Sequence, residues 1–173
     1  MKNMEPEKVA QLLEIIQNKP AQRIAHFSNG SHILSKALAA LCKDYQSDYY
    51  LNCVKDTCFD KAKTKYEGQT HVHIMKFALQ RPRYKIQGIE YDYLIATLDF
   101  EEENKESFLS KCYPIIRTGG NIILLIPNAD FSQQDEWNAL LEEKYYVSAT
   151  IIDDIFDDYD VIVAKRMHGW GND

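Results

Sequence analysis

Polar side chains able to hold a ligand or move a proton fall just past several β-like apolar runs of this 173-residue chain. Ser28-Asn29-Gly30-Ser31 follows residues 23–27, and Lys55-Asp56 follows residues 49–54. Asp99 comes after residues 91–97, and Asn128 comes after residues 121–126 and Pro127. In an open parallel sheet, sites gather at the carboxyl ends of the strands, so Asn29, Asp99 and Asn128 can line one crevice. Asp99 is the candidate catalytic residue, since its carboxylate can orient a substrate amine or act as a general base. The competing reading makes Asp99 the cap of a helix that begins near Glu101. Asn29-Gly30 reads either as a ligand-facing loop or as a plain turn, and Asn128 reads first as a turn residue.

Other groupings carry less chemistry. His71 and His73 share one face of a strand, and His26 lies on an adjacent one. Zinc can be held by such a set, but buried histidines satisfied by hydrogen bonds are commoner, and no metal is expected. Cys42, Cys53, Cys58 and Cys112 lack Cys-x-x-Cys spacing and read as buried, reduced thiols. Asp153, Asp154, Asp157, Asp158 and Asp160 lack the spacing and central glycine of a calcium loop, so a solvated turn is expected. Arg81, Arg83 and Lys85 form a compact basic patch beside Pro82 and Tyr84, either a solvated loop or a contact for phosphate, RNA or an acidic partner. Trp170, between two glycines of the tail, suggests docking onto this chain or another.

The elements that must position these residues follow from periodicity. Pro6 between Glu5 and Glu7 suits a first helical turn, and Val9, Leu12, Leu13, Ile15 and Ile16 recur at helical spacing. Asn18-Lys19-Pro20 stops that run, so residues 1–19 hold an amphipathic helix packed on the main body. Strands at 23–27, 49–54, 71–77, 91–97 and 121–126 then alternate with helices at 32–44, 57–66, 101–116 and 133–143. Residues 78–87, with Pro82, are a loop or a broken helix. The last two strands, 146–152 and 160–165, are joined by a short acidic linker and should be antiparallel neighbours. Alternation of this kind implies right-handed βαβ units. The expectation is one α/β domain over residues 1–173, three-layered and Rossmann-like. Its seven-stranded sheet is mostly parallel, ends in a C-terminal antiparallel hairpin and carries helices on both faces.

Composition narrows the partners. The chain is 45% hydrophobic and 27% charged, ordinary for a globular protein. A net charge of −6 disfavours a dedicated nucleic-acid binder and points to a small-molecule or protein partner. No run approaches the roughly 18 apolar residues of a membrane span, so a cytoplasmic location is expected and a membrane partner is not. Homo-oligomer formation stays open.

Five parallel strands closed by a hairpin resemble the sheet of class I S-adenosylmethionine-dependent methyltransferases. Tyr91-Asp92-Tyr93-Leu94-Ile95, leading to Ile116-Arg117-Thr118-Gly119-Gly120-Asn121-Ile122-Ile123-Leu124, resembles that family's strand, helix and double-glycine turn. Tyr159-Asp160-Val161-Ile162-Val163-Ala164-Lys165-Arg166 resembles its last strand. The double glycine is expected to make a tight helix-to-strand reversal, because glycine tolerates positive φ. The resemblance implies S-adenosylmethionine as cofactor and transfer of its methyl group to an unnamed acceptor, a reaction that needs positioning and proton removal. Family members carry an acid on the first strand and then Gly-x-Gly-x-Gly. Laid over this chain, the acidic position falls on His26 and the glycines on Ser28, Gly30 and His32. The acid that pairs with the ribose falls on Cys53, with Asp56 just beyond, and the acid after the third strand meets Phe77-Ala78-Leu79-Gln80. The resemblance thus implies that His26, Ser28, Asn29, Gly30, Cys53 and Asp56 bear on the cofactor, and Asp99 on the substrate. The missing acid and glycines favour an alternative, a non-catalytic module of the same fold that binds a protein partner or another small ligand. A further alternative is a phosphosugar-binding isomerase-like domain, whose first-strand loop Phe27-Ser28-Asn29-Gly30-Ser31 loosely resembles.

Overall fold

The computed structural model describes residues 4–86, 88–128 and 130–167; the expected docking of Trp170 lies outside the described residues. The chain runs α1 (Pro6–Leu13), β1 (Arg23–Ser28), α2 (His32–Asp44), β2 (Asp48–Cys53), α3 (Asp56–Lys65), β3 (Val72–Lys76) and β4 (Tyr91–Thr97). It continues through α4 (Glu102–Cys112), β5 (Ile116–Pro127), α5 (Phe131–Glu143), β6 (Tyr146–Ile152) and β7 (Tyr159–Arg166). These strands form one seven-stranded sheet in the order β3-β2-β1-β4-β5-β7-β6. Neighbours among β1 to β5 pair in parallel, and β7 runs antiparallel to both β5 and β6. The short acidic linker allows no crossover, which forces the antiparallel β6–β7 pair.

Burial explains the layers. Leu94, Ile95 and Ala96 of β4 and Ile122 to Leu125 of β5 are fully buried, as continuous apolar strands covered on both faces must be. One face packs Ile24, Tyr49, Leu51, Ile95 and Ile123 under Val9 and Leu12 of α1, Leu34 and Leu38 of α2, and Ala62 of α3. The opposite face packs Ala25, Phe27, Leu94, Ile122 and Leu124 under Phe108 and Leu109 of α4 and Trp137 and Leu141 of α5. Each large apolar side chain so buried contributes about 1.5–3 kcal/mol. No helix among the described residues is long and apolar enough to cross a membrane.

Several local features differ from expectation. The first helix stops at Leu13, and residues 14–16 continue as tighter turns with Glu14, Ile15 and Ile16 donating three residues back. Among the described residues, no helix forms between β3 and β4. Pro82 lacks the N–H a helix would use, and Phe77 and Tyr84 cover the sheet instead: Phe77 stacks on Phe27 at 4.3 Å and meets Tyr84 edge-on at 4.8 Å. The helix-to-strand reversal is made by a 3-10 turn at Tyr113–Ile115, so Gly119 and Gly120 are not that turn. They lie inside β5, in a bulge: Ile116 pairs with Tyr91, yet the next pair on β5 is Asn121 with Tyr93. Gly119 has φ +83, and a Cβ on Gly120 would sit 2.8 Å from the Arg117 carbonyl oxygen and 2.9 Å from that of Asp92. A second irregularity marks β6, where the register shifts between Val147 and Thr150 and Ser148 takes φ 56.

Candidate functional site

The carboxyl edge of the sheet brings β1 and β4 together. Ser28 pairs with Thr97, so the residues just past them meet above the sheet. The Ser28 hydroxyl accepts from the Gly30 N–H at 3.0 Å, and the Ser28 carbonyl accepts from the Val54 N–H at 3.2 Å. Gly30 adopts φ +127 with nothing within 4 Å of where a Cβ would stand, which leaves room for a ligand against the backbone. Asn29 donates through Nδ2 to Asp99 Oδ2 at 3.0 Å. Its Oδ1 is buried and has no hydrogen-bond partner. An acceptor left in that state costs about 1–3 kcal/mol, which a ligand that donates to it recovers. The capping reading of Asp99 is not realised: Glu101 is the N-cap of α4, and no side chain caps it.

Asp99 also lines a cavity of about 270 Å³ with Phe100, Lys105, Asn128, Gln133 and Trp137. Phe100 and Trp137 meet edge to face at 5.3 Å and form its aromatic wall. Lys105 is buried, with Nζ 2.5 Å from Glu102, 3.5 Å from Glu136 and 5.1 Å above the Trp137 ring. The Glu102 carboxyl is held below its usual value by hydrogen bonds with Glu136 and Lys105, while the bond with Glu102 raises that of Glu136. Asn128 borders the cavity, its backbone N–H donating to Asp158 O at 3.0 Å beyond the last β5–β7 pair and its amide donating to Asp157 O. Sequence reasoning passed over Lys105, Glu136 and Trp137. Only the Glu102–Lys105 spacing of three hinted at an ion pair, and nothing local showed that α5 would bring Trp137 across. Two larger depressions, of about 620 and 690 Å³, lie away from this edge, one beside the Glu67–Thr70 turn and one around Arg23, Asp48 and Asp92 at the amino ends of the strands.

The remaining candidates are placed as follows. His26 is fully buried, with Nδ1 2.9 Å from the Tyr49 hydroxyl and Nε2 3.0 Å from the Thr97 hydroxyl. Burial pushes its ring down to about 3, so it is neutral, and both nitrogens are engaged within the protein. His73 stacks on Tyr50 across the other face of the sheet, and its Nε2 is 3.0 Å from Asp48. His26 and His73 therefore do not converge, because neighbours such as Tyr49 and Tyr50 point to opposite faces. His71 bonds the Ala39 carbonyl at 3.0 Å. Cys53 is buried, its Sγ 2.8 Å from that of Cys58. Asp56 opens α3, exposed, 3.4 Å from Lys76 Nζ. In the acidic turn, exposed Asp157 pairs with Lys8 at 3.0 Å. Asp160 is not part of that solvated turn: it lies in β7, buried, and accepts from Gln134 at 3.2 Å. Arg81, Arg83 and Lys85 are exposed, and Arg81 donates to Lys76 O at 3.0 Å.

No family model matches the sequence, and no curated protein matches it. Solved structures match in fold. A TehB-like S-adenosylmethionine-dependent methyltransferase from Corynebacterium glutamicum superposes with a TM-score of 0.71 at 12% identity, over 92% of this chain and 87% of that one. An S-adenosylmethionine-dependent O-methyltransferase from Thermotoga maritima gives 0.75 at 13% identity, over 99% of this chain and 69% of that one. A methyltransferase from Pyrococcus furiosus gives 0.68 at 14% identity, over 95% and 84%. The strand order and these superpositions show the fold of the class I S-adenosylmethionine-dependent methyltransferases.

Proposed function

We propose that this chain is an S-adenosylmethionine-dependent methyltransferase that grips its cofactor chiefly by the amino-acid end. The observation that carries the reading is the Asn29 amide, which joins the ends of β1 and β4. Its Nδ2 fixes Asp99, and its buried, unpartnered Oδ1 is an acceptor that suits an ammonium group. Gly30 leaves the space beside it open for close approach of the cofactor's methionine portion. At the ribose end the fit is looser, and the exposed Asp56 carboxylate is the group available there. When bound, the cofactor supplies an electrophilic methyl on a sulfonium. The rest of the work falls to the chain. Asp99, oriented by Asn29, faces the cavity walled by Phe100 and Trp137, where it can orient an acceptor and take its proton. The aromatic wall excludes water from that side.

Isothermal titration calorimetry with S-adenosylmethionine and S-adenosylhomocysteine tests the reading. Micromolar binding is expected, and Gly30→Val should abolish it by forcing a β-branched residue into a φ of +127 and filling the open space. Asn29→Ala removes a hydrogen bond to a charged donor, worth about 1.5–3 kcal/mol, and should weaken binding by about ten- to a hundredfold. One observation favours a second reading, a non-catalytic module: the ribose-acid position is Cys53, turned into the core. Absence of heat at millimolar ligand would select that module.

A further inference from the structure

We propose that Cys53 and Cys58 are a reversible oxidation site, at which a hydroperoxide converts the two thiols into an intramolecular disulfide joining the end of β2 to the first turn of α3. This goes beyond the methyltransferase reading and stands without it. Cys53 is the last residue of β2, and its side chain faces the α1–α3 layer. Cys58 is the third residue of α3, and α3 packs on that same face, so the short loop between them folds one thiol onto the other. Their sulfurs are in contact at 2.8 Å.

Several features make Cys58 the attacking sulfur. Its position in the first turn of α3 puts it among N–H groups that no side chain caps, at the positive end of the helix dipole. The contact with Cys53 and the charge of Lys55 hold its thiol down to about 7. Cys53 is pushed up by the same contact and by burial, so it keeps its proton until it resolves the intermediate. Cys58 also lines a cavity of about 220 Å³ beside Gly30, Ser31, Lys61 and Lys65, through which a small oxidant can reach it. Tyr66 lines that cavity too, and its buried hydroxyl has no partner, leaving a donor for the peroxide oxygen.

The chemistry closes in two displacements. The Cys58 thiolate attacks the hydroperoxide, the O–O bond breaks, and water or an alcohol leaves, giving a sulfenic acid at Cys58. The Cys53 sulfur then attacks the Cys58 sulfur and loses its proton, and the S–O bond breaks to release a second oxygen as water. Two thiols are oxidised to one disulfide and one hydroperoxide is reduced; a dithiol reverses the change. Cys42 and Cys112 are fully buried, and burial pushes both thiols up, to about 12 for Cys42, so they serve as internal controls.

The test treats the purified full chain with a brief pulse of hydrogen peroxide, alkylates it after unfolding, and maps thiols by mass spectrometry with and without dithiothreitol. Wild type is expected to lose two hydrogens, with Cys53 and Cys58 protected from alkylation, Cys42 and Cys112 fully alkylated, and all four recovered after reduction. At pH 7 the thiolate fraction of Cys58 exceeds that of an ordinary thiol by roughly fifteenfold. Lower intrinsic nucleophilicity trims the rate advantage to about threefold. The oxidation rate should therefore reach half its maximum near pH 7. Cys53→Ala is expected to stop at a sulfenic acid that dimedone traps on Cys58. Oxygen added without loss of hydrogen in wild type, a disulfide involving Cys42 or Cys112, or Cys58→Ala oxidising as fast as wild type would each overturn the proposal. The wild-type map decides by itself if a variant fails to fold.

Discussion

His26 makes acid sensitivity a quantitative readout of where its ring sits. In the native state its value lies near 3, while the unfolded chain should show the ordinary 6.5. A depressed native value means the unfolded chain binds a proton that the native one refuses. Stability from this group is thus complete above pH 6.5, falls as pH drops from 6.5 toward 3, and levels off below that. At one pH unit per 1.36 kcal/mol, the loss between pH 7.5 and pH 5 is about 2 kcal/mol, and the full loss is about 5 kcal/mol. His26→Gln keeps a donor and an acceptor for Tyr49 and Thr97 but cannot titrate. The variant starts lower by a constant offset of about 1–3 kcal/mol from imperfect hydrogen bonding. Urea unfolding at half-unit steps from pH 7.5 to 5, with m held in view, separates offset from slope. Wild type should converge on the variant by about 2 kcal/mol across that window. Parallel profiles would mean that the ring takes up a proton in the native state. They would overturn the placement of His26 as a sealed bridge and return it to the solvent side of the carboxyl edge.

Four further substitutions probe the frame. Gly120→Ala should cost about 1–3 kcal/mol, since the new methyl meets two backbone oxygens that cannot step aside. Gly119→Ala meets open space and should cost only the strain of φ +83, about 1–2 kcal/mol; thermal denaturation that ranks them in the reverse order refutes the bulge account. Arg166→Met removes Nη1 bonds to the Tyr113 and Ile116 carbonyls, at 3.2 and 2.8 Å, and the stacking of the guanidinium 4.6 Å from the Tyr113 ring. A fall of about 2–3 kcal/mol in urea stability is expected, and a change below half a kcal/mol would show that water replaces those bonds. Asp130→Ala opens the capping box with Gln133 and should cost about 1 kcal/mol, visible as faster hydrogen exchange in the first turn of α5 and nowhere else.

The architecture was legible because it is written in local periodicity. The alternation of apolar runs at strand and helix spacing gave the order of elements, and the short acidic linker before Tyr159 forced the antiparallel close. What failed to show were features that depend on side chains meeting across the fold. Asn29 and Asp99 were each visible at a strand end, but their bond spans 70 positions, and only the pairing of β1 with β4 makes it. Cys53 and Cys58 looked like separate core thiols because no spacing rule describes a strand end turning onto the next helix's first turn. Gly119 has the expected positive φ but in a bulge instead of a turn, while Gly120 is needed for another reason, the two backbone oxygens that leave no room for a Cβ. Residues 78–86 were ambiguous for a good reason: that stretch is anchored by the Phe77 and Tyr84 rings and by scattered hydrogen bonds, such as Tyr84 to the Leu79 carbonyl at 2.7 Å, none of which follows a period.

The irregularity at Ser148 bears on how the sheet ends. The strand order leaves β3 and β6 as open edges, each with a row of backbone groups that a strand from another molecule can extend. At β6 the skipped register and the left-handed Ser148 break that row in its middle, so an incoming strand finds no continuous ladder. At β3 the row is five residues long and ends on Lys76, whose charge an added strand would have to accommodate. One edge is interrupted by shape, and the other is short and carries a charge.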